Sequence, residues 1–464
     1  MDLLNEECGV FGVYLPNDQA ARTTFFGIFS LQHRGQESAG IATSDLEKLY
    51  LHKDMGLVSR VFDEGSLSSL PGPLAIGHTR YSTTGSSYIA NAQPLHIDGE
   101  DTNFFIAHNG NVTNAKPLRK DLESQGITFH SSTDTEVIGQ LISTAQGESF
   151  PKKIQAAMRR LQGAYSLVLL THDSVYAVRD PLAIRPLCYG KIEDGWAVAS
   201  ESCALDHVSA TLEGELAPGE IIVLNESGIE RHPWDIPVES ASCIFEYIYF
   251  ARPDSILGNH LVYPTRQEMG AQLAREHPVE ADLVTYVPDS AMVAGNGYAL
   301  ESGIPFAETL VKNRYVGRTF IKPDQNMRDE GVRLKFNPLP EIIRGKRLIV
   351  VDDSIVRGTT NKHVVELLRA AGAKEVHLRV CSPPIKSPCH FGIDMPNRWE
   401  LIAAEKSVDE IAEIMGVDSL GYLSIDGLKN AIGRGENGYC DACFTGNYPL
   451  PIQLEMSKLD LEKD

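Results

Sequence analysis

Residues 347–360, RLIVVDDSIVRGTT, constrain the fold more than any other part of the chain. Leu348 to Val351 form a short apolar, largely β-branched run, the pattern of a strand buried in a parallel sheet. The run ends on two adjacent carboxylates, Asp352 and Asp353, then enters a segment rich in hydroxyls and glycine. From about Asn361 the apolar residues Val364, Val365, Leu367 and Leu368 share one helical face, and Gly372 stops the pattern. Strand, loop and helix in that order gather backbone N–H groups and the positive end of a helix dipole around a phosphate-sized hole. Gly358 lets the backbone approach closely, and Thr359 and Thr360 add hydroxyl donors. The aspartates sit at the strand's C-terminal end, where open α/β sheets bind ligands. There they can hold ribose hydroxyls, Mg²⁺, or both.

This stretch resembles the phosphoribosyl-pyrophosphate (PRPP) loop of type I phosphoribosyltransferases. The resemblance implies a C-terminal α/β domain with a parallel sheet and places Asp352, Asp353, Ser354, Arg357, Gly358, Thr359 and Thr360 on PRPP. Upstream, residues 283–291, LVTYVPDSA, read as a second buried strand ending in a polar turn. By the same resemblance this turn receives pyrophosphate, and Ser290 joins Asp352 and Asp353 around one Mg²⁺ per subunit. Between the two strands lie residues 312–333, basic in a chain whose net charge is −20. They are expected to form a mobile lid over an anionic substrate, with Lys312 and Arg318 reaching PRPP and Gly317 and Pro323 breaking regular structure.

The N-terminal half begins its pattern at residues 7–14, ECGVFGVY, a cysteine followed by strand-like alternation. It resembles the start of class II, N-terminal-nucleophile (Ntn) glutamine amidotransferases. Further matches follow in that family's order: LQHRGQESAGI within 25–41, GHTRYSTTG at 77–85, HNGN at 108–111 and STDTE at 132–136. The implied fold is an Ntn-hydrolase αββα sandwich. Cys8 is then the thiol nucleophile, with its own α-amine as base, since a reference pKa of about 8 suits proton transfer near neutrality. Asn109 (side chain) and Gly110 (backbone N–H) resemble the oxyanion pair, while Arg80 clamps the α-carboxylate of glutamine and Asp134 takes its α-ammonium. Cys8 does not start the encoded chain, so residues 1–7 are expected to be a propeptide, removed by Cys8 itself. Strand-like runs at 166–170, 175–178, 196–200 and 220–224 alternate with helical patterns at 134–145 and 153–161. RDPLAIR (179–185) and SESC (200–203) are read as packing. Two prolines and a tryptophan at 232–237 mark a junction, giving domains 8–235 and 236–464.

Four cysteines of the second half form a separate pattern. Cys243 lies in SCIFEYIYFARPDS, read as a buried strand; Cys389 follows a predicted strand at 376–381; Cys440 and Cys443 form a Cys-x-x-Cys. Such a set can close a tetrahedral sulfur site for Zn²⁺ or an iron–sulfur cluster. It matches the cluster-containing branch of glutamine PRPP amidotransferases, which implies one [4Fe–4S] per subunit. Cys188, Cys203 and Cys381 are read as buried structural thiols.

A length of 464 residues makes two domains the prior, and 22% charged with 42% hydrophobic residues describe a soluble globular protein. The acidic balance argues against nucleic acid as a partner. No apolar run approaches the ~20 residues that span a bilayer, and the acidic N-terminus is no signal peptide, so the cytoplasm is expected. The resemblance to the glutamine PRPP amidotransferase family covers nearly the whole chain. It implies conversion of glutamine, PRPP and water to 5-phosphoribosylamine, glutamate and pyrophosphate, with ammonia passing inside the protein. It also implies a homotetramer inhibited by purine nucleotides. A non-catalytic PRPP sensor is expected to lack the Cys8 constellation or the basic lid. An amidotransferase with sugar-isomerase domains is expected to lack VDDSIVRGTT.

Overall fold

The computed structural model describes residues 8–17, 19–81, 86–99, 101–313, 335–395, 397–433, 438–452 and 461–462. The expected propeptide (1–7), Arg318 and nearly all of the expected lid (312–333) lie outside these residues.

Two antiparallel sheets form the N-terminal half. The first has the strand order Thr211–Glu215, Cys188–Ile192, Gly195–Ala199, Gly9–Tyr14, Leu74–Arg80, Ser38–Ser44, Leu49–Met55. The second runs Gly228–His232, Ile221–Asn225, Val175–Arg179, Gly163–Leu170, Phe104–Val112, Leu95–Ile97. Side-chain alternation decides the layering. Val10 joins Phe105 and Ala107 in the core between the sheets. Phe11 and Val13 point the other way, onto a core shared with helix Ala20–Ser30. Phe104 and Ile106 likewise meet helices Ala115–Ser124 and Asp134–Thr144 on the far face. The result is the expected αββα sandwich.

The C-terminal half centres on a four-stranded parallel sheet ordered Leu283–Tyr286, Arg347–Asp352, Glu375–Val380, Ser419–Tyr422. Leu348–Val351 in its second strand is a continuous apolar run because packing covers both faces: Leu348 and Val350 lie in one core, Ile349 and Val351 in the other. Helix Thr359–Ala370 starts two residues earlier than its apolar pattern suggests, directly after Gly358.

The run after Cys243 is a correction. Only Ser242–Cys243 is extended, and Glu246–Phe250 forms a π-helical turn. Ile244, Phe245, Tyr247, Ile248 and Phe250 are all buried. Burial on every side erases the periodicity that separates strand from helix.

That turn carries Glu246 into the contact between the halves. Arg34, 1% exposed, donates Nε to Glu201 Oε1 and Nη2 to Glu246 Oε2 at 2.6 Å. Arg185 Nη1 lies 3.6 Å from Glu246, and Arg252 N and Ser255 Oγ donate to Glu201 Oε2 at 2.8 and 2.7 Å. SESC is therefore more than packing, since it supplies the carboxylate that grips the second half. Burial pushes the Glu201 carboxyl up, but Arg34 and His33 outweigh it and hold it well below the usual range. A carboxylate with a depressed folded pKa stabilises above its unfolded value, about 4.3 for Glu, and loses that contribution as pH falls towards the folded value. Arg34→Ala removes the shortest cationic contact of both carboxylates, leaving His33 beside Glu201 and the more distant Arg185 beside Glu246, and should cost about 3 kcal/mol, read as an earlier urea midpoint at neutral pH. The variant should also lose less stability on acidification than wild type.

Candidate functional site

The first constellation forms at one end of the sandwich. Cys8 immediately precedes the central strand Gly9–Tyr14, on the face that points between the sheets at Val10. Its Sγ donates to Tyr81 O at 3.2 Å, and the residue is 7% exposed. Burial pushes the thiol up to about 12, against the opposing pull of the Tyr81 backbone contact and of Arg80. Such a thiol is only about 10⁻⁵ ionised at pH 7. It therefore needs a base at the moment of attack.

Asn109 and Gly110 lie in strand Phe104–Val112, with Asn109 on the inter-sheet face shared by Phe105 and Ala107. Asn109 is fully buried; its Nδ2 is 3.4 Å from Ser200 Oγ, and its Oδ1 has no hydrogen-bond partner among the described residues. Gly110 adopts φ +145°, and a Cβ there would meet Ala164 O at 2.1 Å, so only glycine fits. Arg80 ends strand Leu74–Arg80, buried, donating Nη1 to Ser86 O at 3.3 Å and lying 3.8 Å from Glu37. Asp134 opens helix Asp134–Thr144; its Oδ2 accepts from Val112 N at 3.0 Å, and His108 Nδ1 is 3.6 Å from Oδ1. Burial raises its pKa, but His108 and the backbone donors prevail and keep it ionised. The charges of Arg80, Glu37 and Asp134 all act on Cys8.

A carboxylate-binding rim beside Arg80 has no counterpart in the sequence reading. Ser86 N and Oγ and Ser132 Oγ donate to Glu462, at 2.6, 2.8 and 2.9 Å. Asn91 ties the two serines together. Serines in polar loops give no sequence signal for this.

The second constellation sits at the C-terminal ends of the parallel strands. A pocket there is lined by Tyr249, Ser290, Lys335, Asp352, Asp353, Ser354, Thr360 and Asn361. Ser290 Oγ donates to Asp353 Oδ2, and Ser354 Oγ to Oδ1 at 2.5 Å. Asn361 Nδ2 donates to Asp352 Oδ2 at 2.5 Å. Burial first, then the neighbouring Asp353 charge, raises Asp352 well above the ordinary range; burial also raises Asp353. Gly358 caps the following helix at φ +84°, with Met415 Cε 2.1 Å from where a Cβ would stand. Thr359 is exposed in the first turn. Arg357 is placed elsewhere, paired outward with Glu400 at 2.6 Å. Lys312 Nζ meets Asp289, next to Ser290, at 2.5 Å. Tyr249 and Lys335 come from distant segments, and no local pattern announces them.

Two crowded carboxylates beside a serine hydroxyl suit Mg²⁺, which uses one or two carboxylates and takes further oxygens from substrate phosphates. The four cysteines also converge. Cys243 and Cys440 are partners in a short parallel ladder. Burial first, then Cys243, Cys440 and Cys389, raises the Cys443 thiol, and Cys389 Sγ accepts from Phe391 N at 3.3 Å. Among the described residues, however, no group of three or more His, Cys, Asp or Glu is positioned to hold a metal ion.

The loop after Cys389 reaches the first site. Arg185 donates Nε and Nη2 to Phe391 O at 2.9 and 2.7 Å, and Asn111 Nδ2 donates to His390 O at 2.9 Å.

Comparison with known proteins agrees with both halves. Residues 78–207 match the glutamine amidotransferase domain family and 274–383 the phosphoribosyl transferase domain family. The chain is 49% identical to the amidophosphoribosyltransferase of Archaeoglobus fulgidus, over 97% of this chain and 99% of that one. A solved structure of glutamine PRPP amidotransferase from B. subtilis, complexed with ADP and GMP, superposes with TM-score 0.92 at 44% identity, covering 98% and 100%. Another, described as the allosteric regulatory enzyme of purine biosynthesis, gives 0.93 at 44%, covering 98% and 99%. An amidotransferase sandwich joined to a phosphoribosyltransferase sheet defines a glutamine-using glycosyltransferase. The chain belongs to the amidophosphoribosyltransferase family.

Asp353→Asn removes one of two crowded buried charges while keeping the side chain's shape. The ligand-free protein should gain about 0.5–2 kcal/mol in thermal unfolding while PRPP-dependent activity collapses.

Proposed function

We propose that this enzyme releases ammonia from glutamine at Cys8 and transfers it to C1 of PRPP, giving 5-phosphoribosylamine, glutamate and pyrophosphate, the first step of de novo purine synthesis. One observation carries the reading: a buried thiol with an anion clamp and a paired-carboxylate phosphate loop occur in one chain whose halves are locked by buried ion pairs. The domains are then a propeptide at 1–7, the amidotransferase at 8–235 and the phosphoribosyltransferase at 236–464.

Removal of residue 7 frees the Cys8 α-amine, which takes the thiol proton. The sulfur attacks the glutamine amide, Asn109 and Gly110 hold the developing oxyanion, and the α-amine protonates departing ammonia; water, giving its proton to the same amine, then cleaves the γ-glutamyl thioester to release glutamate and restore the Cys8 thiol. Arg80 and Asp134 fix the two charged ends of the substrate, with the Ser86–Ser132 rim beside Arg80 suited to a carboxylate. At the second site Ser354, Gly358, Thr359 and Thr360 cradle phosphate, Lys312 and Arg318 supply positive charge to PRPP, and Arg357 must leave Glu400 to contribute. Asp352, Asp353 and Ser290 would hold Mg²⁺, which would stabilise the charge on departing pyrophosphate.

Cys243, Cys389, Cys440 and Cys443 would hold a [4Fe–4S] cluster in a structural role. The pairing of Cys243 with Cys440 and the closeness of Cys389 and Cys443 to them support a shared sulfur site. Purine nucleotides as inhibitors are supported by ADP and GMP in the B. subtilis relative, and a homotetramer follows from the family reading. Eight cysteines without a disulfide suit the cytoplasm. Among the described residues no helix is long and apolar enough to cross a membrane.

The deciding assay follows glutamate and pyrophosphate release from glutamine and PRPP. Both should appear together in wild type, and Cys8→Ala should lose glutamine use while keeping synthesis from ammonia. Loss of both activities in a folded Cys8→Ala protein counts against separate sites. Intact mass of active enzyme should begin at Cys8, and anaerobically purified protein should contain about four irons per chain. Stoichiometric zinc without iron would replace the cluster reading.

A further inference from the structure

We infer that Ser200 is a positioning residue that sets which end of the Asn109 carboxamide faces the reacting amide. The inference rests on Asn109 being the oxyanion donor.

Ser200 follows strand Gly195–Ala199 and continues its pairing with the nucleophile's strand. Its N–H donates to Val10 O, and its Oγ accepts from Val10 N, both at 3.0 Å. With an acceptor site used on the backbone, the hydroxyl still has a proton to place. Asn109 is the side chain it meets, 3.4 Å away and fully buried. With Nδ2 turned towards Ser200, two faults coexist. The one good donor is spent away from the oxyanion, and Oδ1 is buried without a hydrogen-bond partner among the described residues. Turning the carboxamide by half a revolution keeps its volume and removes both faults. Ser200 then donates to Oδ1, and Nδ2 takes the direction of the orphaned oxygen, in the inter-sheet space that Cys8 also enters.

The Ser200 hydroxyl is therefore a proton source that reads amide from carbonyl. Its own orientation is fixed by Val10, two residues from the nucleophile, so thiol and oxyanion donor share one reference point. Without the hydroxyl the carboxamide has no preferred end, and the donor faces the oxyanion only part of the time.

The test uses matured holoenzyme carrying Ser200→Ala, Ser200→Thr, Asn109→Ala or Ser200→Ala with Asn109→Ala. Glutaminase kinetics are compared with ammonia-dependent synthesis. Binding of glutamate is compared with that of its γ-semialdehyde, which adds the Cys8 thiol and so carries the oxyanion. Ser200→Ala should lower kcat by up to about 10²-fold, the lower end of what losing an oxyanion donor costs, with little change in KM or in ammonia-dependent synthesis. Aldehyde affinity should fall by the same factor while glutamate affinity holds, and Ser200→Thr should restore both. In the Asn109→Ala background Ser200→Ala should add nothing. Equal weakening of aldehyde and glutamate, additive losses, or an unchanged kcat would overturn the inference. If Asn109→Ala itself leaves kcat intact, the oxyanion reading fails and takes the inference with it. Should Ser200→Ala not fold, Ser200→Cys, a weaker donor, must show the same pattern at smaller amplitude.

Discussion

Arg34 holds the molecule together. One guanidinium, sealed from water, satisfies Glu201 from the end of the first sheet and Glu246 from the turn that opens the second half. Neither carboxylate could remain ionised at that depth alone, because an unpaired buried charge is among the costliest defects a fold can hold. The arrangement is directional as well as strong. Bidentate contacts to Glu246 fix the angle at which the halves meet, and from that angle follow the docking of Phe391 on Arg185 and of His390 on Asn111. Ser200 and Glu201 are consecutive, so the residue beside Asn109, the proposed oxyanion donor, is chained to the one that grips the other half.

The phosphate-loop half was the more legible in the sequence. Its strand, loop and helix are contiguous, and Asp352, Asp353, Ser354, Thr360 and Asn361 reach the pocket from one unbroken stretch of chain, so local pattern carries most of the geometry. Tyr249 and Lys335 enter the same pocket from afar and leave no trace in local pattern. In the first half the motifs named Cys8, Arg80, Asn109 and Asp134, but what holds them is long-range. Arg34 meets partners 167 and 212 positions away, and Ser200 meets Asn109 at a separation of 91. Motif reading finds residues that touch substrate because chemistry restricts their identity. Supporting residues are restricted by geometry that exists only once the chain has folded. The run after Cys243 failed for another reason, since complete burial removed the polar face that marks period.

The second site shows the opposite economy to Arg34. Asp352 and Asp353 are adjacent, buried and alike in charge, and serine and asparagine donors soften that conflict without neutralising it. Stability is thus withheld at the place where the proposed cation and phosphates would be received. A site already at rest would have less to gain from its ligands.

The close approach of Gly392 to Gly110 joins the two halves backbone to backbone. A Cβ on Gly392 would lie 2.9 Å from Gly110 Cα, so two bare backbones touch there, three residues along the chain from Cys389. Contact without intervening side chains has no slack, since no rotamer can absorb a displacement. Any shift of the loop that carries Gly392 is therefore passed straight to the Gly110 backbone, so the second half sets the position of a strand in the first without a single side chain as intermediary.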